Sequence, residues 1–95
     1  MIDKNYVVDN KYLERNRDLL KYLFSDFDNV LEEITYIDTT YDMYDILVNA
    51  GLFTSKGDAK KNWKRSGQEI PLGFSDFRDI GKLNNRLTIY NPMRI

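Results

Sequence analysis

The tightest constraint on the fold lies between Tyr44 and Gly73, a stretch that reads as helix, tight turn, basic helix and strand. Ile46, Leu47 and Val48 lead into Gly51, a residue able to close a helix in the left-handed conformation. The pattern predicts a helix over about 41–50, capped by Thr39-Thr40. Thr54 and Ser55 then offer hydroxyls to start another helix. Ser55 with Asp58 has the capping-box spacing, Asp standing in for the usual Glu or Gln. Ala59 and Trp63 fall four apart on one face of this second helix, and Lys56, Lys60, Lys61, Lys64 and Arg65 fill most of the rest. Gly67 stops it, and Gln68–Leu72 has strand character. The stretch therefore predicts a short cationic helix over 56–65, anchored by an aromatic and set beside a strand.

The same residues carry a resemblance. Leu47, Val48, Ala50, Gly51, Leu52, Ser55, Lys56, Ala59, Lys60, Lys61, Gly67, Ile70 and Gly73 are similar to the S4 RNA-binding module. In that family a first helix ends in an A-G-L-like turn, a Ser-Lys/Arg pair starts the second, and a glycine and a short strand follow. Asp79–Asn91 resembles the family's closing segment, so the similarity covers roughly the C-terminal half. Trp63 stands where an aliphatic residue is usual, and Pro71-Leu72 where the family has Val-Asn. The resemblance implies an S4-like helix-turn-helix followed by a small antiparallel sheet, with structured RNA as the partner. Within that frame the clustering of basic residues marks Ser55, Lys56, Lys60, Lys61, Lys64 and Arg65 as the candidate RNA contacts, extended by Arg78, Lys82 and Arg86 if the last loop folds alongside.

Elsewhere the pattern is coarser. With 95 residues, 42% of them apolar, the chain suits a single domain over 1–95 with its own core. Tyr6-Val7-Val8 reads as an edge strand. Leu13, Leu20, Phe24, Phe27, Leu31 and Ile34 recur at helical steps and predict helices over about 10–24 and 26–36, or one bent helix. Residues 1–38 then form an acidic helical extension to the S4-like part, 41–91. Gly73–Ile80 reads as a polar loop with Phe74 and Phe77 as core plugs, Gly81-Lys82 as a turn, and Arg86–Tyr90 as the surest strand. The expected class is α+β, in the order α-α-α-β-β. The expected interior is Leu20, Phe24, Leu31, Ile34, Leu47, Leu52, Trp63, Ile70, Leu87 and Ile89.

Composition removes several chemistries. The chain has no Cys and no His, which excludes thiolate nucleophiles, histidine-based triads and the common zinc sites. Its five glycines are scattered without phosphate-loop spacing. Asp26, Asp28, Glu32 and Glu33 read as acids favoured near a helix N-terminus rather than as metal ligands. No enzyme, cofactor or metal is expected. No run is apolar for long enough to span a bilayer and no signal-peptide pattern opens the chain, so a cytoplasmic location is expected.

The net charge of −1 hides an asymmetry. Residues 1–50 hold eleven acidic groups against five basic ones; residues 51–95 hold nine basic against four acidic. Two functions fit. In the first, Lys56–Arg65 meets RNA phosphates by counterion release, helped by Ser55 and the helix-start amides, with Trp63 as core anchor or, alternatively, a base-stacking ring. In the second, the acidic, aromatic-rich N-terminal half engages a basic protein. The chain would then be an inhibitor or adaptor, a small accessory protein of the kind a phage encodes.

Overall fold

The computed structural model describes residues 2–23 and 34–93. Four strands, β1 (Asp3–Asp9), β2 (Ile34–Asp38), β3 (Gly73–Ile80) and β4 (Asn85–Asn91), form one sheet in the order β2-β1-β4-β3. The helices are short: α1 (Arg17–Leu23), entered through a single 3-10 turn at Glu14–Asn16, α2 (Met43–Asn49) and α3 (Lys56–Asn62). The fold is α+β, as expected, but the sheet is mixed. β1 runs parallel to both β2 and β4, and only β3 and β4 pair antiparallel.

Tyr6, Val7 and Val8 explain why β1 is interior rather than an edge. All three are buried, and consecutive apolar residues mark a strand covered on both faces. On one face Tyr6 and Val8 join Ile37, Leu87 and Ile89 beneath Met43, Ile46 and Leu47 of α2, with Ala59 of α3 and Trp63. On the other, Val7 and Tyr90 pack on Leu13, with Ile34 alongside. Tyr90 also donates its hydroxyl to Asn16 Oδ1 at 2.9 Å, which satisfies a polar group deep in that second layer.

Several expectations are corrected. Ile34, placed in a helix, opens β2, because Ile-Thr-Tyr-Ile is β-branched and aromatic and pairs in register with Asn5–Val8. The helix expected over 10–24 is confined to Glu14–Leu23, and residues 26–33 of the second lie outside the described residues. Residues 1–38 are thus no helical extension; they supply two of the four strands. Gln68–Leu72 is irregular, since Pro71 has no amide to give a ladder, and the strand begins at Gly73 instead. The loop expected over Gly73–Ile80 is therefore β3. Of the expected interior, Leu47, Trp63, Leu87 and Ile89 are buried, while Ile34, Leu52 and Ile70 are half-buried. Phe24, Leu31 and the side chain of Leu20 lie outside the described residues.

Local chemistry sets the α2–α3 pair. Asp42, not Thr39 or Thr40, caps α2. Its carboxylate accepts the Asp45 amide at 2.9 Å, and the Asp45 carboxylate accepts the Asp42 amide at 2.9 Å. Gly51 ends the segment at φ +81°, where a β-carbon would be strained. Ser55 caps α3 by accepting the Asp58 amide at 3.1 Å. The α3 helix stops at Asn62, three residues before the expected end, because Trp63 turns extended (φ −83°, ψ 115°) to put its ring into the core.

Candidate nucleic-acid interface

The residues singled out on and after α3 fall into two groups. One group is consumed by the fold. Ser55 spends its hydroxyl on the cap, and the Asp58 carboxylate reaches back to the Thr54 amide and hydroxyl, each at 3.3 Å. Lys56 points away from the outer face of α3 and bridges Asp42 at 3.0 Å and Asp45 at 3.4 Å. Those carboxylates hold its ammonium pKa above the ordinary value. Burial opposes ionisation of Asp42. The Asp45 amide, Gln68 Nε2 and the Lys56 ammonium outweigh it and bring the carboxyl down from 3.8 to about 2.

Arg65 is also committed. Between Phe77 and Ile80 the β3–β4 register slips by one residue, with Asp79 left-handed at φ +56°. Such a bulge leaves carbonyls off the ladder. The Arg65 guanidinium donates to both the Arg78 and Asp79 carbonyls, the latter at 2.7 Å, and lies 5.9 Å from the centre of the Trp63 ring. Arg78 and Arg86 are drawn to Asp76, at 2.8 and 2.9 Å. Burial opposes the Asp76 charge, but Arg86 and Arg78 prevail and hold its pKa below the ordinary value. Asp76 stands two residues from Phe74, which pairs with Tyr90, and Arg86 alternates with Leu87. Alternation therefore places this cluster on the sheet face opposite α2 and α3. Arg78 and Arg86 do not extend the α3 surface.

The second group is what remains. Lys60, Lys61 and Lys64 are exposed, and among the described residues none has a carboxylate within ion-pair distance; the same is true of Lys82 in the Gly81–Asn84 turn. Lys60 and Lys61 occupy the last turn of α3, where the partial negative charge of the helix end favours cations.

Beside Lys64 the surface opens into a cavity of about 330 Å³. Phe53 and Trp63, whose rings meet edge to face with centroids 6.5 Å apart, line it together with Asn62, Arg65, Ile80 and Gly81. The Asn62 amide nitrogen is held by the Asp58 carbonyl and carboxylate, at 3.1 and 2.6 Å. Neither Phe53 nor Asn62 was a sequence candidate. The nearest sequence signal is the Asn62-Trp63-Lys64-Arg65 run itself, which places amide, ring and two cations consecutively.

A second cleft, about 580 Å³, lies at the carboxyl ends of the parallel strands, lined by Asn10, Thr39, Asp42, Gln68 and Asn91 among others. Its polar groups are mutually bonded: Asn10 Nδ2 to Asn91 Oδ1 at 3.0 Å, and Gln68 Nε2 to Asp42 Oδ2 at 3.1 Å. The acids Asp26, Asp28, Glu32 and Glu33, on which a protein-binding role would rest, lie outside the described residues. Among the described residues there is no helix long and apolar enough to cross a membrane, and no cluster of acidic side chains suited to a metal ion. Comparison with known proteins returns no matching family model, no matching curated protein and no matching solved structure.

Proposed function

We propose that this is a small RNA-binding protein that contacts the phosphate backbone through Lys60, Lys61 and Lys64, with Lys82 at the margin. The observation that carries this reading is the sorting of cations. Lys56, Arg65, Arg78 and Arg86 are engaged by protein acceptors, while Lys60, Lys61 and Lys64, all exposed and close in sequence, have no carboxylate within ion-pair distance among the described residues. A cation with no protein partner is the kind that exchanges its counterions for phosphate. The S4-like spacing around Gly51, Ser55 and Ala59 supports RNA over other polyanions. The contact set is narrower than the sequence candidates: it excludes Lys56, Arg65, Arg78 and Arg86 and leaves Ser55 to its cap.

The test is a salt titration. A structured RNA is titrated at several salt concentrations against the parent and against the triple variant Lys60→Ala, Lys61→Ala, Lys64→Ala. Each lost phosphate contact removes about 0.7–0.9 from the slope of log K against log salt, so the variant should be flatter by about 2–3. Alanine keeps the α3 helix, which circular dichroism checks. An unchanged slope, or no binding by the parent at low salt, refutes the proposal.

A further inference from the structure

We infer that the cavity beside Lys64 receives one unpaired base, so that the RNA recognised carries a looped-out or single-stranded nucleotide at the point where its backbone crosses the lysines. The inference rests on the phosphate-contact reading above and adds to it a class of ligand.

The cavity has the size and lining for such an occupant. At about 330 Å³ it stands at the small end of ligand pockets, which run from about 300 to 1,000 Å³. That is room for one planar ring rather than a larger ligand. Phe53 is half-buried and offers part of an aromatic surface. Trp63 is 4% exposed and already carries Arg65 over its ring, so little of it is open to a ligand. A base entering here stacks on Phe53 beside Trp63. Asn62 spends both amide hydrogens on Asp58, and among the described residues its Oδ1 has no hydrogen-bond donor. That oxygen is suited to accept from a base amino group.

The surroundings fix the direction of approach. Lys64 is exposed and lines the cavity with its ammonium in no ion pair among the described residues, next in sequence to Trp63. A phosphate on Lys64 brings its own base within reach of Phe53. Arg65 does not compete for that phosphate. Its guanidinium is held by the Arg78 and Asp79 carbonyls, which ties this lining residue to the β3–β4 bulge before any ligand arrives. A continuous duplex has no free base to offer and would touch the lysines alone.

Trp63 is the only tryptophan in the chain, so its fluorescence reports on this cavity directly. The parent is titrated with an RNA hairpin bearing an adenosine tetraloop and with a blunt RNA duplex of the same number of phosphates. The hairpin should quench Trp63 and bind roughly tenfold more tightly, the contribution of about one stacked base, while the duplex should bind without quenching. Phe53→Leu keeps apolar bulk in the wall and removes the ring. It should erase most of the hairpin preference and leave both the duplex affinity and the salt slope unchanged. Equal affinities without quenching would overturn the base site and leave the lysine contact standing. Loss of salt-dependent binding to both RNAs would overturn the two together. A preference for the hairpin that survives Phe53→Leu would place the unpaired base elsewhere.

Discussion

Replacing Asp42 by Ala tests the junction that holds α2, α3 and the 68–72 segment together. One carboxylate accepts the Asp45 amide, Gln68 Nε2 and the Lys56 ammonium, with the side chain 16% exposed. Loss of a helix N-cap costs about 0.5–2 kcal/mol. The depression of the carboxyl pKa from 3.8 to about 2 is worth about 2 kcal/mol at 1.36 per unit, and it counts the same contacts rather than adding to them. Between 1 and 2 kcal/mol is therefore expected at neutral pH, a fall in melting temperature of about 4–8 °C per kcal/mol. The Lys56 arm contributes little, because that side chain is half in water.

The pH dependence has a definite sign. A carboxyl with a depressed folded-state pKa stabilises above its unfolded value near 3.8, and the stabilisation disappears as pH falls through about 2. Parent and Asp42→Ala should differ most above pH ~4 and converge towards pH ~2. Asp42→Asn keeps an oxygen for the Asp45 amide, so its cost at neutral pH should be smaller. Thermal melts by circular dichroism at neutral pH and across the acid range provide the comparison. Equal melting temperatures at neutral pH, or a deficit as large at pH 2 as at pH 7, would refute the argument.

Two further substitutions probe the two layers. Leu47 is fully buried on the helix side of the sheet, so Leu47→Ala should cost about 2–5 kcal/mol; a loss below about 1 kcal/mol in denaturant melts would remove it from the core. On the other face, Asn16→Ala strands the buried Tyr90 hydroxyl and removes donors from the Tyr12 and Met93 carbonyls, with an expected cost of about 1–3 kcal/mol. Adding Tyr90→Phe should cost less in the Asn16→Ala background than in the parent, and strictly additive losses would argue against the pairing.

What the sequence made legible was local. Gly51, Ser55 with Asp58, and the four-residue step from Ala59 to Trp63 act within one turn of chain: Gly51 is left-handed, Ser55 caps α3 on the Asp58 amide, and Ala59 and Trp63 are both buried, although the Asp58 carboxylate turns to Thr54 instead of closing a box on Ser55 and Trp63 lies just past the helix end. The sheet was illegible for a corresponding reason. Tyr6-Val7-Val8 reads as an edge strand because nothing in it says which strands flank it, and Ile34 completes a helical spacing with Phe27 and Leu31 while also starting a β-branched run. Pairing with β1 decided between those readings. The candidate site divides in the same way. Lys56 and Lys60 look equivalent along the sequence, and only the approach of Asp42 from a preceding helix cap separates a structural lysine from an available one. Arg65 likewise finds its role in a bulge fourteen residues away, created by a register slip that no residue pattern announced.

The parallel seam between β1 and β4 has a consequence in time. It joins Asp3–Val7 to Arg86–Tyr90, and the Arg86 amide closes onto the Ile2 carbonyl at 2.8 Å. In a chain made from its amino end, β1 emerges before the other three strands and is the strand completed last. β2 can reach one of its edges early, but the other stays open until Arg86–Tyr90 has been made. Contacts so distant along the chain slow folding. Throughout that interval an apolar strand presents unsatisfied backbone groups to any neighbour able to pair with them. The hazard of misassembly for this protein is thus concentrated in the nascent chain, and the arrival of β4 ends it.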